Sequence, residues 1–135
     1  MSISEYLSGL EEISLALSGS NSITYLAAAV SDFYIPADQV AEHKIQSGGN
    51  LSLEMVPVPK LLGKVKSWNK ETVLVSFKLE TDAQILEQKA KGAIKKYGVD
   101  MVVANELKTR RSKVVIYHSD GTSQELTSEN DQIVD

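Results

Sequence analysis

The first part of the chain repeats apolar residues at helical intervals. Ser2 and Glu5 have the spacing of a capping box, in which each side chain accepts a hydrogen bond from the other residue's backbone N–H. Gly19 is a natural point for the helix to end. The pattern therefore predicts a helix after Ser2, with an apolar face formed by Ile3, Tyr6, Leu7, Leu10, Ile13 and Leu17.

Three short apolar runs follow, each bounded by polar or turn-forming residues. They span Ile23–Val30, Thr72–Phe77 and Val99–Ala104. A continuous apolar run of this length is typical of a strand in a parallel sheet, where both faces are covered. We expect such burial for Ile23–Val30 in particular.

A helix is predicted between the second and third of these strands. Thr81 and Gln84 repeat the capping-box spacing, and Gly98 closes the pattern. The apolar face consists of Ile85, Leu86, Ala90, Ala93, Ile94 and Tyr97. Strand, helix and strand with short links form a βαβ unit, whose crossover is almost always right-handed. The fold class is therefore α/β.

The segment between the first two strands has weaker signals. Residues Ala37–Asn50 lack periodicity and predict a long loop, and Leu51–Met55 alternates like a half-exposed strand that Pro57 breaks. Lys60–Trp68 has the pattern of a short helix.

The end of the chain has the pattern of a hairpin, in which Lys113–His118 and Ser123–Thr127 flank a turn. No linker divides the sequence. We therefore expect one α/β domain over residues 1–135, with a Rossmann-like, largely parallel sheet and flanking helices.

Composition narrows the possible functions. Of 135 residues, 42% are apolar and 24% charged, as in ordinary globular proteins, and no apolar run is long enough to span a bilayer. The net charge is −4, and the one dense basic cluster, Lys108–Lys113, fits a solvated loop, so we expect neither a nucleic acid nor a membrane partner. The absence of cysteine excludes disulfides and thiolate metal sites, and it fits a reducing compartment.

Polar and aromatic residues stand where the three apolar strands end. Ser31-Asp32-Phe33 follows the first, Phe77–Glu80 the second and Asn105-Glu106 the third. If the strands are parallel, these ends meet at one rim, where open α/β sheets bind ligands. Ala27–Ala29 would let a ligand approach the backbone, although small residues equally serve tight helix packing and strands commonly end in polar residues.

Familiar phosphate and metal motifs do not occur in the sequence. There is neither a Walker A motif nor a dinucleotide fingerprint, and the two histidines, His43 and His118, are far apart. The residues alone thus indicate an α/β domain with a small polar-ligand site.

Five segments in order resemble the phosphopantothenate–cysteine ligase family. They are AAAVSDFYIP (27–36), AEHKIQSGG (41–49), VPKLL (58–62), SFKLETD (76–82) and VVANEL (102–107). The resemblance extends from about Tyr25 to His118, and the KIQS form of the second segment is similar to the eukaryotic branch.

This resemblance implies an acid–amino-acid ligase of coenzyme A biosynthesis. ATP or CTP would activate the carboxylate of 4′-phosphopantothenate as an acyl-nucleotidylate, and the amine of cysteine would displace the nucleoside monophosphate. Mg²⁺ and at least one lysine would neutralise the charge that develops. Ala93 and Tyr97 stand where bacterial relatives tend to carry lysines, which favours ATP.

The resemblance also implies roles for individual residues. Ala28, Ala29 and Asp32 would bind phosphopantothenate, and Lys44 would polarise the activated acyl group or hold the leaving phosphate, the alternative being a solvated loop lysine. Phe77 and Asn105 would bracket the nucleotide base, although Phe77 could equally belong to the core at a strand end. Lys60 is a candidate phosphate contact or a surface lysine at a helix start.

The beginning of the chain departs from the family pattern. Family members start with a glycine-rich strand-to-helix turn for the nucleotide phosphates, and this sequence starts after that region. We therefore expect a fold that is incomplete on its amino-terminal side. It could be completed by an amino-terminal segment or by a second chain, or the protein could be a genuinely shortened relative.

The resemblance further implies a cytoplasmic homodimer in which a small antiparallel extension near Leu51–Met55 takes part. The alternative function is a non-catalytic or split-subunit relative that binds phosphopantothenate, nucleotide or a partner chain without turnover alone.

Overall fold

The computed structural model describes residues 2–27, 33–34, 56–57 and 62–128. By its contacts the chain separates into two units, one of residues 1–28 and 61–135 and the other of residues 29–60. In chain order the described elements are α1 Ile3–Ala16, β1 Ile23–Leu26, β2 Phe33–Tyr34, β3 Val56–Pro57, α2 Leu62–Trp68, β4 Val73–Glu80, α3 Ala83–Tyr97, β5 Met101–Glu106, β6 Lys113–His118 and β7 Ser123–Thr127. No helix among these elements is long and apolar enough to cross a membrane.

Helix α1 begins with the predicted capping box. The N–H of Glu5 donates to Ser2 Oγ at 3.2 Å, and the N–H of Ser2 donates to the Glu5 carboxylate at 2.7 Å. Helices α2 and α3 also lie where the sequence pattern placed them. The three predicted helices are therefore confirmed.

The start of α3 differs from its prediction by one residue. The carboxylate of Asp82, not the hydroxyl of Thr81, caps the helix by accepting from the N–H groups of Gln84 at 2.8 Å and Ile85 at 3.3 Å. A carboxylate here also interacts favourably with the positive end of the helix dipole, which explains why it displaces the hydroxyl. Gly98 ends the helix at φ 68°, a left-handed conformation that favours glycine.

Five of the described strands form one mixed sheet in the order β1-β4-β5-β6-β7. β1, β4 and β5 are parallel neighbours, whereas β6 and β7 add as antiparallel strands. The predicted βαβ unit (β4, α3 and β5) and the predicted hairpin (β6 and β7) are both confirmed. The fold is α/β, as expected.

Strand β1 is less buried than its composition suggested. Among the described strands it pairs only with β4, and its residues Ile23 and Tyr25 are 72% and 56% exposed. Both side chains lie on the same face of the sheet, so the prediction of burial on both faces is wrong for residues 23–26. An apolar run does not tell whether a further layer packs on each face of a strand. Residues 28–30 of the predicted strand lie outside the described residues.

The described helices pack on one side of this sheet, which we call the covered face. Its fully buried cluster is formed by Val65, Leu74, Ala90, Val99 and Val102. Leu10 of α1, Leu26 of β1 and Tyr117 of β6 pack against this cluster. The opposite side, which we call the open face, carries the alternate residues of each strand, among them Tyr25, Val75 and Phe77.

The smaller unit contains a two-stranded antiparallel sheet. Phe33 pairs with Pro57 and Tyr34 with Val56. Pro57 is thus part of a strand, and the prediction that it breaks one is wrong. Proline is tolerated in such a short pairing because an edge position need not donate a backbone hydrogen bond. The predicted loop 37–50 and strand 51–55 lie outside the described residues.

Candidate active site

Two predicted site residues, Phe77 and Asn105, lie on the same face of neighbouring strands. Phe77 of β4 pairs with Val103, and Leu79 pairs with Asn105 of β5. Because paired and alternate residues share a face, the side chains of Phe77 and Asn105 both belong to the open face. The carboxyl ends of β4 and β5 therefore form one rim, as predicted, in the position where open α/β sheets bind ligands.

The ring of Phe77 packs against an aromatic neighbour from β1. Its centroid is 4.6 Å from that of Tyr25, and the two ring planes meet at 74°, an edge-to-face arrangement. Tyr25 and Phe77 therefore form an aromatic pair on the open face of β1 and β4. The sequence reasoning did not single out Tyr25, and the signal that would have found it is the pairing of β1 with β4.

The backbone beyond Asn105 holds the two strand ends together. The N–H of Leu107 donates to the carbonyl oxygen of Glu80 at 2.8 Å. The Glu80 carboxylate also forms an ion pair with Lys89 of α3. These two contacts connect the rim to α3 on the covered face.

A separate cavity of about 300 Å³ lies between α3 and the β6–β7 hairpin. Its walls include Glu87, Glu106 and Tyr117. Burial raises the pKa of Tyr117, and the nearby carboxylate of Glu87 raises it further. Neither Phe77 nor Asn105 lines this cavity, so it does not belong to the predicted site.

The family of this α/β domain follows from its sequence. Residues 9–134 match the family described as DNA/pantothenate metabolism flavoprotein, C-terminal domain. The chain belongs to this family. The match covers all the described helices and strands except the first residues of α1, so this C-terminal domain includes the whole sheet and both Phe77 and Asn105.

Curated relatives of this C-terminal domain carry the name that the resemblance suggested. The phosphopantothenate–cysteine ligase of Mus musculus is 46% identical over 133 residues, which are 96% of this chain and 43% of the relative. The Saccharomyces cerevisiae phosphopantothenate–cysteine ligase CAB2 is 37% identical over 134 residues, covering 84% of this chain and 37% of the relative. The resemblance to this ligase family is confirmed, and the chain spans less than half the length of these relatives.

Solved structures show that the C-terminal domain has the fold described above. A mutant of Cab2 in complex with phosphopantothenate-cysteine matches with a TM-score of 0.78 at 36% identity, covering 90% of this chain and 42% of that one. The DNA/pantothenate metabolism flavoprotein from Streptococcus pneumoniae matches with a TM-score of 0.70 at 19% identity, covering 94% of this chain and 64% of that one. The second likeness concerns the fold alone.

The other predicted site residues of this family member lie outside the described residues. They are Ala28, Ala29, Asp32, Lys44 and Lys60. Their roles therefore remain predictions. The structure places two of the seven residues proposed from the sequence, Phe77 and Asn105, on one face of neighbouring strands, and these are the two assigned to the nucleotide base.

The chemistry of a bound Mg²⁺ is not provided by the part of the domain that the structure describes. Within residues 2–27, 33–34, 56–57 and 62–128, no three acidic or histidine side chains come close enough to hold a metal ion together. Mg²⁺ generally binds through one or two carboxylates together with substrate phosphates. Such binding does not need a cluster of three protein side chains.

Proposed function

We propose that this chain belongs to a phosphopantothenate–cysteine ligase and carries part of its nucleotide- and substrate-binding surface. The observation that supports the proposal most strongly is the mouse relative, which bears this name and is 46% identical over almost the whole chain. The position of Phe77 and Asn105 on one rim adds geometric support.

The proposed reaction has two steps. A carboxylate oxygen of 4′-phosphopantothenate attacks the α-phosphorus of ATP or CTP, and the bond to pyrophosphate breaks. The amine of cysteine then attacks the acyl carbon, loses a proton and displaces the nucleoside monophosphate. Both steps bring anionic groups together, so the site has to supply cations and oriented hydrogen-bond donors.

In this proposal Phe77 and Asn105 bind the nucleotide base. The face of an aromatic ring offers a stacking surface, and a side-chain amide offers both a donor and an acceptor to the edge of a base. The edge-to-face contact with Tyr25 leaves open the alternative that Phe77 serves packing at the strand end.

The residues outside the described part complete the proposal. Ala28, Ala29 and Asp32 bind phosphopantothenate through close backbone approach and a carboxylate acceptor. Lys44 polarises the acyl group or holds the leaving phosphate, and Lys60 contacts a phosphate. ATP is the favoured co-substrate over CTP, with Mg²⁺ carried on its phosphates.

We also propose that the ligase acts in the cytoplasm as a homodimer, with residues 51–55 contributing to the interface. The alternative function, a split or non-catalytic relative that binds without turnover, is supported by the coverage of the relatives, since the chain corresponds to 43% of the mouse ligase.

The proposal is tested by adding ATP, Mg²⁺, phosphopantothenate and cysteine to the purified chain, with and without the portion of the mouse ligase that the chain does not match. Pyrophosphate and AMP are measured. We expect product in the mixture and its loss in Lys44→Gln. Binding of nucleotide without any product supports the split or non-catalytic alternative, and the absence of both binding and product contradicts the proposal.

The nucleotide assignment needs a matched control. Asn105→Ala should weaken ATP binding in calorimetry, whereas Gln124→Ala should not. Gln124 is an exposed amide on the same open face, paired with Ile116 of β6 and thus two strands away from β5. Equal effects of the two changes would remove Asn105 from the nucleotide site.

A further inference from the structure

Tyr25, Phe77 and Asn105 lie on one diagonal across three parallel strands. Tyr25 of β1 pairs with Val75 of β4, and Phe77 follows Val75 by two residues on the same face. Phe77 pairs with Val103 of β5, and Asn105 follows Val103 by two residues, again on the same face. Each step from β1 to β4 and from β4 to β5 therefore advances two residues towards the carboxyl ends of the strands.

Phe77 occupies the middle of this diagonal. A strand rises about 3.3 Å per residue, so each step of two residues advances by about 7 Å. By backbone position, Asn105 is on the side of Phe77 that faces the rim, and Tyr25 is on the side that faces away from it. A ligand bound beyond the carboxyl ends of the strands approaches Phe77 from the side of Asn105. Tyr25 thus supports Phe77 from the side opposite to such a ligand.

The rings of Tyr25 and Phe77 are in direct contact. Their centroids are 4.6 Å apart and their planes meet at 74°. Edge-to-face pairs contribute stability beyond the area that they bury, and they favour a defined relative orientation of the two rings. Tyr25 is 56% exposed, so burial gives little reason for a large aromatic side chain at this position. The contact with Phe77 is the feature that an aromatic ring supplies here.

We propose that Tyr25 is a positioning residue that holds the ring of Phe77 in the orientation in which it stacks on the nucleotide base. The inference rests on the role of Phe77 and Asn105 in the proposed function, and it adds a residue that acts through Phe77 without touching the nucleotide. A ring that is already held in place loses less conformational freedom when the base binds, so the affinity for the nucleotide is higher.

The proposal is tested by measuring ATP binding to the full chain and to variants of Tyr25 by calorimetry. Tyr25→Leu removes the aromatic contact and should weaken ATP binding by about threefold to tenfold, which corresponds to the contribution of one aromatic pair. Tyr25→Phe keeps the ring and loses only the hydroxyl group. This conservative variant should therefore bind ATP within about twofold of the original chain.

The matched control is Ile23→Ala on the same face of the same strand. Ile23 pairs with Val73, two residues further from Phe77 than the position of Tyr25, and is 72% exposed. The change removes apolar surface from the open face without altering the aromatic pair, so ATP binding should stay within about twofold of the original value. Thermal unfolding of every variant verifies that it folds.

Two further measurements separate positioning from a general structural role. In a chain that already carries Phe77→Leu, the additional change Tyr25→Leu should alter ATP affinity by less than about twofold, because the ring that Tyr25 holds is gone. The carbon-bound protons of adenine should shift upfield in NMR spectra of ATP bound to the original chain, since they lie over an aromatic ring. At equal saturation this shift should be smaller with Tyr25→Leu, whereas a loss of stability alone would leave it unchanged.

Three results would each overturn the inference: unchanged ATP affinity in Tyr25→Leu, an equal loss of affinity in Tyr25→Phe, and an undiminished effect of Tyr25→Leu in the Phe77→Leu background. The last result would show that Tyr25 acts on the nucleotide independently of Phe77. All three leave the proposed function standing, because the original chain binds ATP in each case. A failure of the original chain to bind ATP would instead refute the nucleotide assignment of the proposed function, and the inference with it.

Discussion

Asp100 joins the amino-terminal ends of β4 and β5, and its removal should destabilise the whole sheet. Its carboxylate accepts a hydrogen bond from the N–H of Leu74 at 2.7 Å and forms an ion pair with Lys66 of α2 at 2.6 Å. Leu74 is completely buried, so its N–H cannot turn to water when the carboxylate is lost. We expect Asp100→Ala to leave a buried donor without a partner.

The expected loss can be divided between the two contacts. An unsatisfied buried N–H costs about 1–3 kcal/mol, and an ion pair that keeps a quarter to a third of its side-chain exposure contributes about 0.5 kcal/mol. Asp100→Ala should therefore lower the free energy of unfolding by about 2–3 kcal/mol. Asp100→Asn keeps an acceptor for Leu74 and should lose about 1 kcal/mol or less.

These differences are measured by urea unfolding of the original chain, Asp100→Ala and Asp100→Asn, with circular dichroism as the signal. Lys91→Ala is the control, because its ion pair with Glu87 is exposed to solvent on α3 and should contribute little to stability. Equal losses for Asp100→Ala and Asp100→Asn would show that charge, not the hydrogen bond to Leu74, is what matters. A loss below about 0.5 kcal/mol in Asp100→Ala would refute the burial argument altogether.

Three further predictions concern the helices and the hairpin. Gly92→Ala should raise the free energy of unfolding by about 0.5–1 kcal/mol, because a Cβ at this position meets nothing within 4 Å. Gly63→Ala should lower the free energy of unfolding by about 1 kcal/mol, because its Cβ would lie 3.1 Å from the ring of Tyr97. Thermal melts of the two variants measure these opposite changes. Asp82→Ala should cost about 1 kcal/mol in urea unfolding through loss of the α3 cap, and no change would contradict that assignment. Burial raises the pKa of Tyr117, so the unfolded chain loses the phenolic proton at lower pH than the folded chain. The free energy of unfolding should therefore keep the full contribution of Tyr117 below pH 10.0 and fall as the pH rises above that value. Tyr117→Phe should reduce this fall, and an unchanged dependence of the free energy of unfolding on pH would refute the prediction.

The elements of the fold were largely accessible from the sequence because each has a local signal. The spacing of Ser2 and Glu5 marks α1, and the turn at Gly121 separates β6 from β7. What the pattern could not supply is which strands are neighbours. Its apolar run made β1 look buried on both faces, although the exposure of Ile23 and Tyr25 depends on whether a further layer packs on the open face.

The side-chain hydrogen bonds between the start of β4 and β1 were also not predicted from the sequence. Ser22 Oγ donates to Thr72 Oγ1 at 3.0 Å, and the hydroxyls of Thr24 and Thr72 lie 2.7 Å apart. Small hydroxyl residues are common in loops, so nothing in their local spacing distinguishes a buried cluster from a solvated turn. Thr72 is nevertheless fully buried.

The candidate site was predicted in part. The expectation that strand ends converge is confirmed for Phe77 and Asn105, since parallel pairing follows from a βαβ pattern that the sequence displays. Tyr25 was missed because its importance arises from a cross-strand contact with Phe77. Asp32 and Lys44 came from the family resemblance, and spacing alone would not have separated them from ordinary loop residues.

The order of the strands in the chain also affects how the sheet assembles. β6 and β7 are joined by a short turn, whereas β1 joins β4 across a separation of 50 residues, as between Ser22 and Thr72. Closing a long loop costs more chain entropy and delays contact formation, so the hairpin should form early and β1 should dock late. Late docking makes β1 the first strand to detach in the native state.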